Sequence, residues 1–193
     1  MKHKILPKIE IEFRSIINRP QYRKIEAFLQ KNAKDLGKDN KDVYFFIMPE
    51  KLLKVVNNIS QRNAEVVLKL GKIGKGSDFE ELRIPIKQAD INDAVKIFSY
   101  LTVAKNIMHS FQKRHNYRYK DVEIALKYSD VWDYHIELEI NVNNKNKKEA
   151  AEKKIKEVAN ELGIKLMNDK ELSEFTRKKE EENSKANKNK INI

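Results

Sequence analysis

The sequence predicts an α+β fold in which an antiparallel sheet of eight strands closes into a barrel with helices packed outside it. Three observations carry this expectation. The element order reads strand, helix, four strands, helix, three strands, helix, without the strand-helix alternation of a parallel sheet. Several strands alternate apolar with charged residues, so their two faces meet different environments. Basic residues recur within most of those strands, and a closed sheet with polar inward positions reconciles a charged interior with a helical cover.

The first strand, from Lys8 to Ile16, sets Ile9, Ile11 and Phe13 against Glu10, Glu12 and Arg14. Asn18 and Pro20 then open a helix, Tyr22, Ile25, Phe28, Leu29, Ala33 and Leu36 form its apolar stripe, and Gly37 is expected to close it. Strands follow at VYFFIM, LLKVV, AEVVLKLG and FEELRIPIK. Gly71, Gly74 and Gly76 separate the last two as hairpin partners. Those glycines with Lys75 lack the GxxxxGK[ST] order of a phosphate loop. Asp90 begins a second helix, with Asp93 in the capping-box position. Three more strands are expected near Asn106 to Tyr119, Asp121 to Tyr128 and Tyr134 to Asn141, then a helix that closes at Gly163. Residues 1–165 form the barrel domain. Residues 166–193 are read as a short helix around Leu172 and Phe175 followed by a polar, disordered tail.

The chain of 193 residues carries a formal charge of +11, which favours anionic partners. Residues 164–193 hold eight Lys or Arg and six Asp or Glu, so most of the excess belongs to the body. Cysteine is absent, which excludes disulfides, thiolate catalysis and Cys-rich zinc sites. No apolar run reaches the ~18 residues that span a bilayer, and a cytoplasmic protein is expected. Monomer and homodimer are both compatible with the sequence.

Two distant strands each carry a carboxylate pair at i,i+2: Glu10 with Glu12, and Glu137 with Glu139. In a strand this spacing places both members on one face, and carboxylate oxygens suit hard cations such as Mg²⁺ or Mn²⁺. A pair of strands whose polar faces lie in water shows the same spacing, so both readings stay open here. Arg14, Lys54, Lys69, Arg83, Lys113 and Arg114 also fall in expected strands, where guanidinium and ammonium groups can meet a chain of phosphates. His135 shares parity with Glu137 and Glu139, and Trp132 with Tyr128 and Tyr134 offers aromatic surface.

Glu10-Ile11-Glu12-Phe13-Arg14 resembles the ExExK signature of the CYTH family, the triphosphate tunnel metalloenzymes, which include thiamine and inorganic triphosphatases and class IV adenylyl cyclases. Asp42 to Pro49 resembles the family's DxYFDTP-like strand, Leu53 to Val56 its LRIR strand, Val66 to Lys69 its LTLK strand, and His135 to Glu139 its late EIE strand. The resemblance implies that Glu10, Glu12, Glu137 and Glu139 face Mg²⁺ or Mn²⁺. It implies that Arg14, Lys54 and Lys69 face a triphosphate-containing small molecule, and that Glu10, Glu12 and Arg14 carry the chemistry. Arg114 and Tyr117 resemble the KxRxxY segment, with Lys113 beside an unmatched Gln112, and Arg83 falls in the RxExE strand. Arg14 stands for the signature lysine, Val56 for a second basic residue, and Lys127 for a frequent acidic one. The implied activity is metal-dependent triphosphate hydrolysis. Adenylyl cyclisation and binding without catalysis are the alternatives, and nucleic-acid binding ranks below them because no such motif is present.

Overall fold

The computed structural model describes residues 9–70, 78–102 and 106–191. The first strand, β1 (Ile9–Ile16), leads into α1 (Arg19–Asn32), followed by β2 (Lys34–Lys38), β3 (Lys41–Ile47), β4 (Lys51–Asn58), β5 (Asn63–Leu70) and β6 (Asp78–Ile86). A single 3-10 turn precedes α2 (Ile91–Leu101). Then come β7 (Asn106–Tyr119), β8 (Val122–Ser129), β9 (Asp133–Val142), α3 (Lys148–Glu161) and α4 (Asp169–Ile191). The expected glycine-rich turn at Gly71, Gly74 and Gly76 lies outside the described residues.

All nine strands join one antiparallel sheet in the order β2, β7, β3, β4, β5, β6, β1, β9, β8, and β8 returns to pair with β7. The curl is strong, but closure is incomplete. Among the described residues β1 and β6 meet over three residue pairs, Ile9 with Glu80, Glu10 with Phe79 and Ile11 with Asp78. Among the described residues β1 continues its ladder beyond them with β9 and β6 with β5. The closed barrel expected from the alternation is therefore cut back to a curled antiparallel half-barrel, whose β1–β6 seam is paired only in part among the described residues.

Strand alternation divides the sheet into two faces. The convex face is apolar. Ile11, Ile124, Leu126, Ile136 and Leu138 pack with Ile25 and Leu29 of α1 and with Ile155 and Val158 of α3, while Leu53, Val55 and Val66 pack beneath α2. Burying such side chains contributes about 1.5–3 kcal/mol each, so the helices fix which face turns inward. The inward face carries a smaller apolar group, Val43, Val56 and Val67 with Phe45, among its charged residues.

Three local expectations change. Asn18 does cap α1, accepting from Gln21 N at 2.9 Å while Gln21 Oε1 accepts from Asn18 N at 3.0 Å. The helix nevertheless ends at Asn32, and Gly37 sits at φ +90° at a register shift where β2 joins β7. Asp35 Oδ1 accepts from Gly37 N at 2.7 Å and shapes this bulge. No capping box forms at Asp90, which has helical dihedrals and no side-chain cap bond. Lastly, α4 is not a short helix with a disordered tail but runs for 23 residues. No Gly or Pro interrupts Asp169–Ile191, and pairs such as Arg177 with Glu181 support it at i,i+4.

Candidate active site

The concave side of the sheet encloses a cavity of about 150 Å³. Every strand from β3 to β9, together with β1, contributes to it, and Thr176, Lys179 and Glu180 of α4 border it. Nine Lys or Arg and seven Glu line it among the described residues. Such a density of charge is tolerable away from water only where the charges compensate one another.

β1 and β9 place the paired carboxylates side by side. Their register sets Glu12 opposite Glu139 and Arg14 opposite Glu137. Glu137 Oε1 accepts from Arg14 Nε at 2.9 Å and lies 2.9 Å from Lys127 Nζ, while its Oε2 lies 3.6 Å from Arg114 Nη1. Burial opposes the charge on Glu137, but Lys127, Arg14 and Arg114 overcome it and hold the carboxyl well below its ordinary range. Arg14 also ion-pairs with Glu12 and lies 5.9 Å over the Trp132 ring.

A second group centres on Lys69 of β5. Its ammonium lies 3.2 Å from Glu10 Oε2, 3.2 Å from Glu12 Oε2 and 2.8 Å from Glu81 Oε1. Burial works against its charge, yet Glu12, Glu10 and Glu81 together raise its pKa above the ordinary lysine value. Lys54 has a weaker partner, Glu81 Oε1 at 3.9 Å. Burial, reinforced by the like charge of Lys69, pulls its amine down to about 7. Arg83 is half exposed, pairs with Glu65 at 2.8 Å and also contacts Glu81.

Glu139 differs from its neighbours. It accepts a 3.4 Å hydrogen bond from Asn141, and burial followed by the nearby Glu10 pushes its carboxyl up to about 8. Glu12 has both oxygens engaged, Oε1 by the Arg14 guanidinium and Oε2 by Lys69 at 3.2 Å. Among the described residues no three Asp, Glu or His side chains converge into a ready-made ligand set. In donor chemistry a hard divalent cation fits nevertheless. Glu10 and Glu12 both disfavour the charge on Glu139, and all the donors are oxygen.

Most residues expected at the site line the cavity: Glu10, Glu12, Arg14, Lys54, Lys69, Arg83, Arg114, Glu137 and Glu139. Two do not. Lys113 is exposed, because Arg114 points inward and its neighbour must point out. Tyr117, fully buried, belongs to the core beneath α1 and stacks on His115 at 4.5 Å. The residue-level reading missed Glu81 and Lys127 as site members. Lys127 alternates with the apolar Ile124, Leu126 and Tyr128 of its strand, which was the available signal. Burial pulls Lys127 down to about 8 despite Glu137, and takes the imidazole of His135 down to about 3.

The chain matches the family model for the CYTH domain over residues 8–173. It belongs to the CYTH family. This CYTH domain is 27% identical to the PH1012 protein from Pyrococcus horikoshii OT3, with 81% of this chain and 91% of that one covered at a TM-score of 0.65. HpAC1 from Hippeastrum, a proposed adenylyl cyclase described as having a dominant triphosphatase activity, is 14% identical with a TM-score of 0.58 over 82% of this chain and 89% of that one. At 12% identity, a proposed adenylate cyclase from Vibrio parahaemolyticus covers 81% of this chain and 89% of its own with a TM-score of 0.61. The last two establish likeness of fold. No curated protein matches the sequence. No helix among the described residues is long and apolar enough to cross a membrane.

The raised pKa of Glu139 predicts a pH signature in metal-free protein. The unfolded chain loses this proton near 4.5 and the folded chain near 8, so the group costs stability increasingly as pH rises between those values. E139Q removes the cost. Thermal melts in EDTA should show the E139Q minus wild-type difference growing from pH 5 to pH 8 and then levelling off. A difference independent of pH contradicts the assignment.

Proposed function

We propose that this CYTH domain hydrolyses a triphosphate with a divalent cation, Mg²⁺ or Mn²⁺, bound at Glu10, Glu12 and Glu139. The observation that carries the reading is the sorting of charge within one small cavity. Glu10, Glu12 and Glu139 crowd together on β1 and β9, while Lys54, Lys69, Arg83 and Arg114 face them from the other strands. A cavity of about 150 Å³ lined by these cations is of a scale suited to a short phosphate chain. This supports inorganic tripolyphosphate, or the phosphate tail of a larger molecule, as the enclosed group.

A divalent cation held by these carboxylates would supply Lewis acidity and neutralise phosphate charge. The side chains then divide the remaining work. Lys69 and Arg114 bind phosphoryl oxygens, giving up carboxylate contacts in exchange. Arg14 stays protonated, so it neutralises developing charge and positions Glu12 and Glu137 without accepting a proton. Lys54 Nζ, with its pKa near 7, is the cavity amine able to exchange a proton close to neutrality. Arg83 stands at the half-exposed border and attracts the incoming anion.

Incubation with tripolyphosphate, thiamine triphosphate and ATP plus Mg²⁺ or Mn²⁺ should release orthophosphate from at least one of them. Release no greater than that of purified E10A/E12A protein defeats the proposal, and cyclic AMP with diphosphate from ATP replaces hydrolysis by cyclisation. Tight binding without turnover leaves a phosphate-binding protein.

Charge reversal at K69E should weaken binding of a non-hydrolysable triphosphate by at least about tenfold, roughly 1.4 kcal/mol, with the far-UV circular dichroism unchanged. K185E serves as the control. Calorimetry measures both, and equal affinity for K69E and wild type removes Lys69 from the site.

A further inference from the structure

We infer that Asp39 is a positioning residue whose buried carboxylate holds Lys41 and Arg114 as a pair, so that both cations meet the phosphate chain already in place. This rests on the triphosphate reading above and adds Lys41 to the groups that bind the anion.

Strand register leads to Asp39. β2 and β3 lie along one edge of β7, with β8 on the other, and they share a register that sets Lys38 opposite His115 and Lys41 opposite Gln112. Asp39 and Asn40, between them, therefore fall opposite Arg114 and Lys113. Asp39 N donates to Arg114 O at 2.9 Å, as a ladder bond would, and Asn40 Oδ1 accepts from Arg114 N at 3.0 Å. Parity puts the side chains of Asp39, Lys41 and Arg114 on the same inward face. Lys41 and Arg114 line the cavity, and Asp39, 5% exposed, is buried beside them.

The two oxygens of Asp39 divide their partners. Oδ1 accepts from Asn58 Nδ2 at 2.6 Å and from Gln61 Nε2 at 3.3 Å, toward the β4–β5 turn. Oδ2 lies 2.9 Å from Lys41 Nζ and 3.3 Å from Arg114 Nε, and accepts from Asn116 Nδ2 at 3.2 Å. Asn116 passes the constraint on. With its amide nitrogen turned to Asp39, its Oδ1 faces Arg114 and accepts from Nε at 2.7 Å. Arg114 is thus fixed through its backbone and through Nε, which leaves its Nη end for other partners. Glu137 competes for that end, since its Oε2 lies 3.6 Å from Nη1, too far for a good hydrogen bond. Without the hold of Asp39, Arg114 is free to swing onto Glu137, and Lys41 regains rotamer freedom that binding must remove again. Burial opposes the charge on Asp39, but Lys41, Arg114 and Asn58 keep its carboxyl below the ordinary range, so its hold on both cations is charge-assisted at neutral pH.

Calorimetry with inorganic imidotriphosphate and Mg²⁺ tests the role. D39N keeps the side chain's shape but loses its charge, and should weaken binding at least about tenfold. In the R114A background the same substitution should cost at most about threefold, the part that belongs to Lys41. N58A removes a partner of Oδ1 and leaves the Oδ2 side in place, so it should lower the melting temperature while affinity stays within about twofold of wild type. Unchanged affinity in D39N overturns the inference, and so does a gain, in which the lost negative charge outweighs the lost placement. An equal factor on both backgrounds, or a loss in N58A as large as in D39N, makes Asp39 a strut of the fold and overturns it too. Each of these leaves the triphosphate reading standing, whereas a wild type that binds no triphosphate removes both. Where D39N does not fold, N116A decides, since it takes away the amide through which Asp39 reaches Nε: binding at least about threefold weaker supports the inference, and unchanged affinity overturns it.

Discussion

The ion pair between Arg14 and Glu137 is the contact on which the cavity turns. It joins the two strands that carry all four paired carboxylates, and it does so across a direct register pair with a 2.9 Å hydrogen bond. Neither group is stable alone in such a place, since removing one partner of a buried pair costs roughly 3–5 kcal/mol. Around it Glu12, Lys127 and Arg114 find their partners, and through Glu12 the network reaches Lys69, Glu10 and Glu81. The interior is consequently a connected set of charges rather than a collection of separate salt bridges. A polyanion enters by exchange, taking over cations already held in position, so little ordering of long side chains remains to oppose binding.

The helices make this arrangement possible from outside. Alternation gives each strand an apolar face and a polar one, and α1, α2 and α3 claim the apolar face. Once Ile11, Ile136 and Leu138 are committed beneath α1 and α3, Glu10, Glu12, Glu137 and Glu139 have no direction left but inward. A register slip of one residue would bury carboxylates under the helices and expose leucines to the cavity. The stability of the core and the composition of the site are therefore set by the same pattern.

That shared pattern explains what was legible in the sequence. Strands of strict alternation, such as β1 and β9, reveal both their element and their inward residues, and the i,i+2 glutamates follow directly. β2 was hidden because Lys34–Lys38 is too short and too exposed to alternate, and its glycine looked like the end of α1 when it serves a bulge. The misplacements of Lys113 and Tyr117 have another cause. Tyr117 came from resemblance to a motif and Lys113 from its place among basic residues of an expected strand, whereas parity against the inward Arg114 sends each to the outer face. Lys127 and Glu81 obey parity and could have been read from it.

The central claim is that Glu139, crowded against Glu10 and Glu12, holds a proton that a divalent cation displaces. Calorimetric titration of Mn²⁺ into wild-type and E139Q protein at pH 7, in two buffers of different ionisation enthalpy, measures the protons released on binding. The account predicts release approaching one proton per ion from the wild type and little from E139Q. Binding with no proton release from the wild type, or with the same release from both proteins, contradicts it.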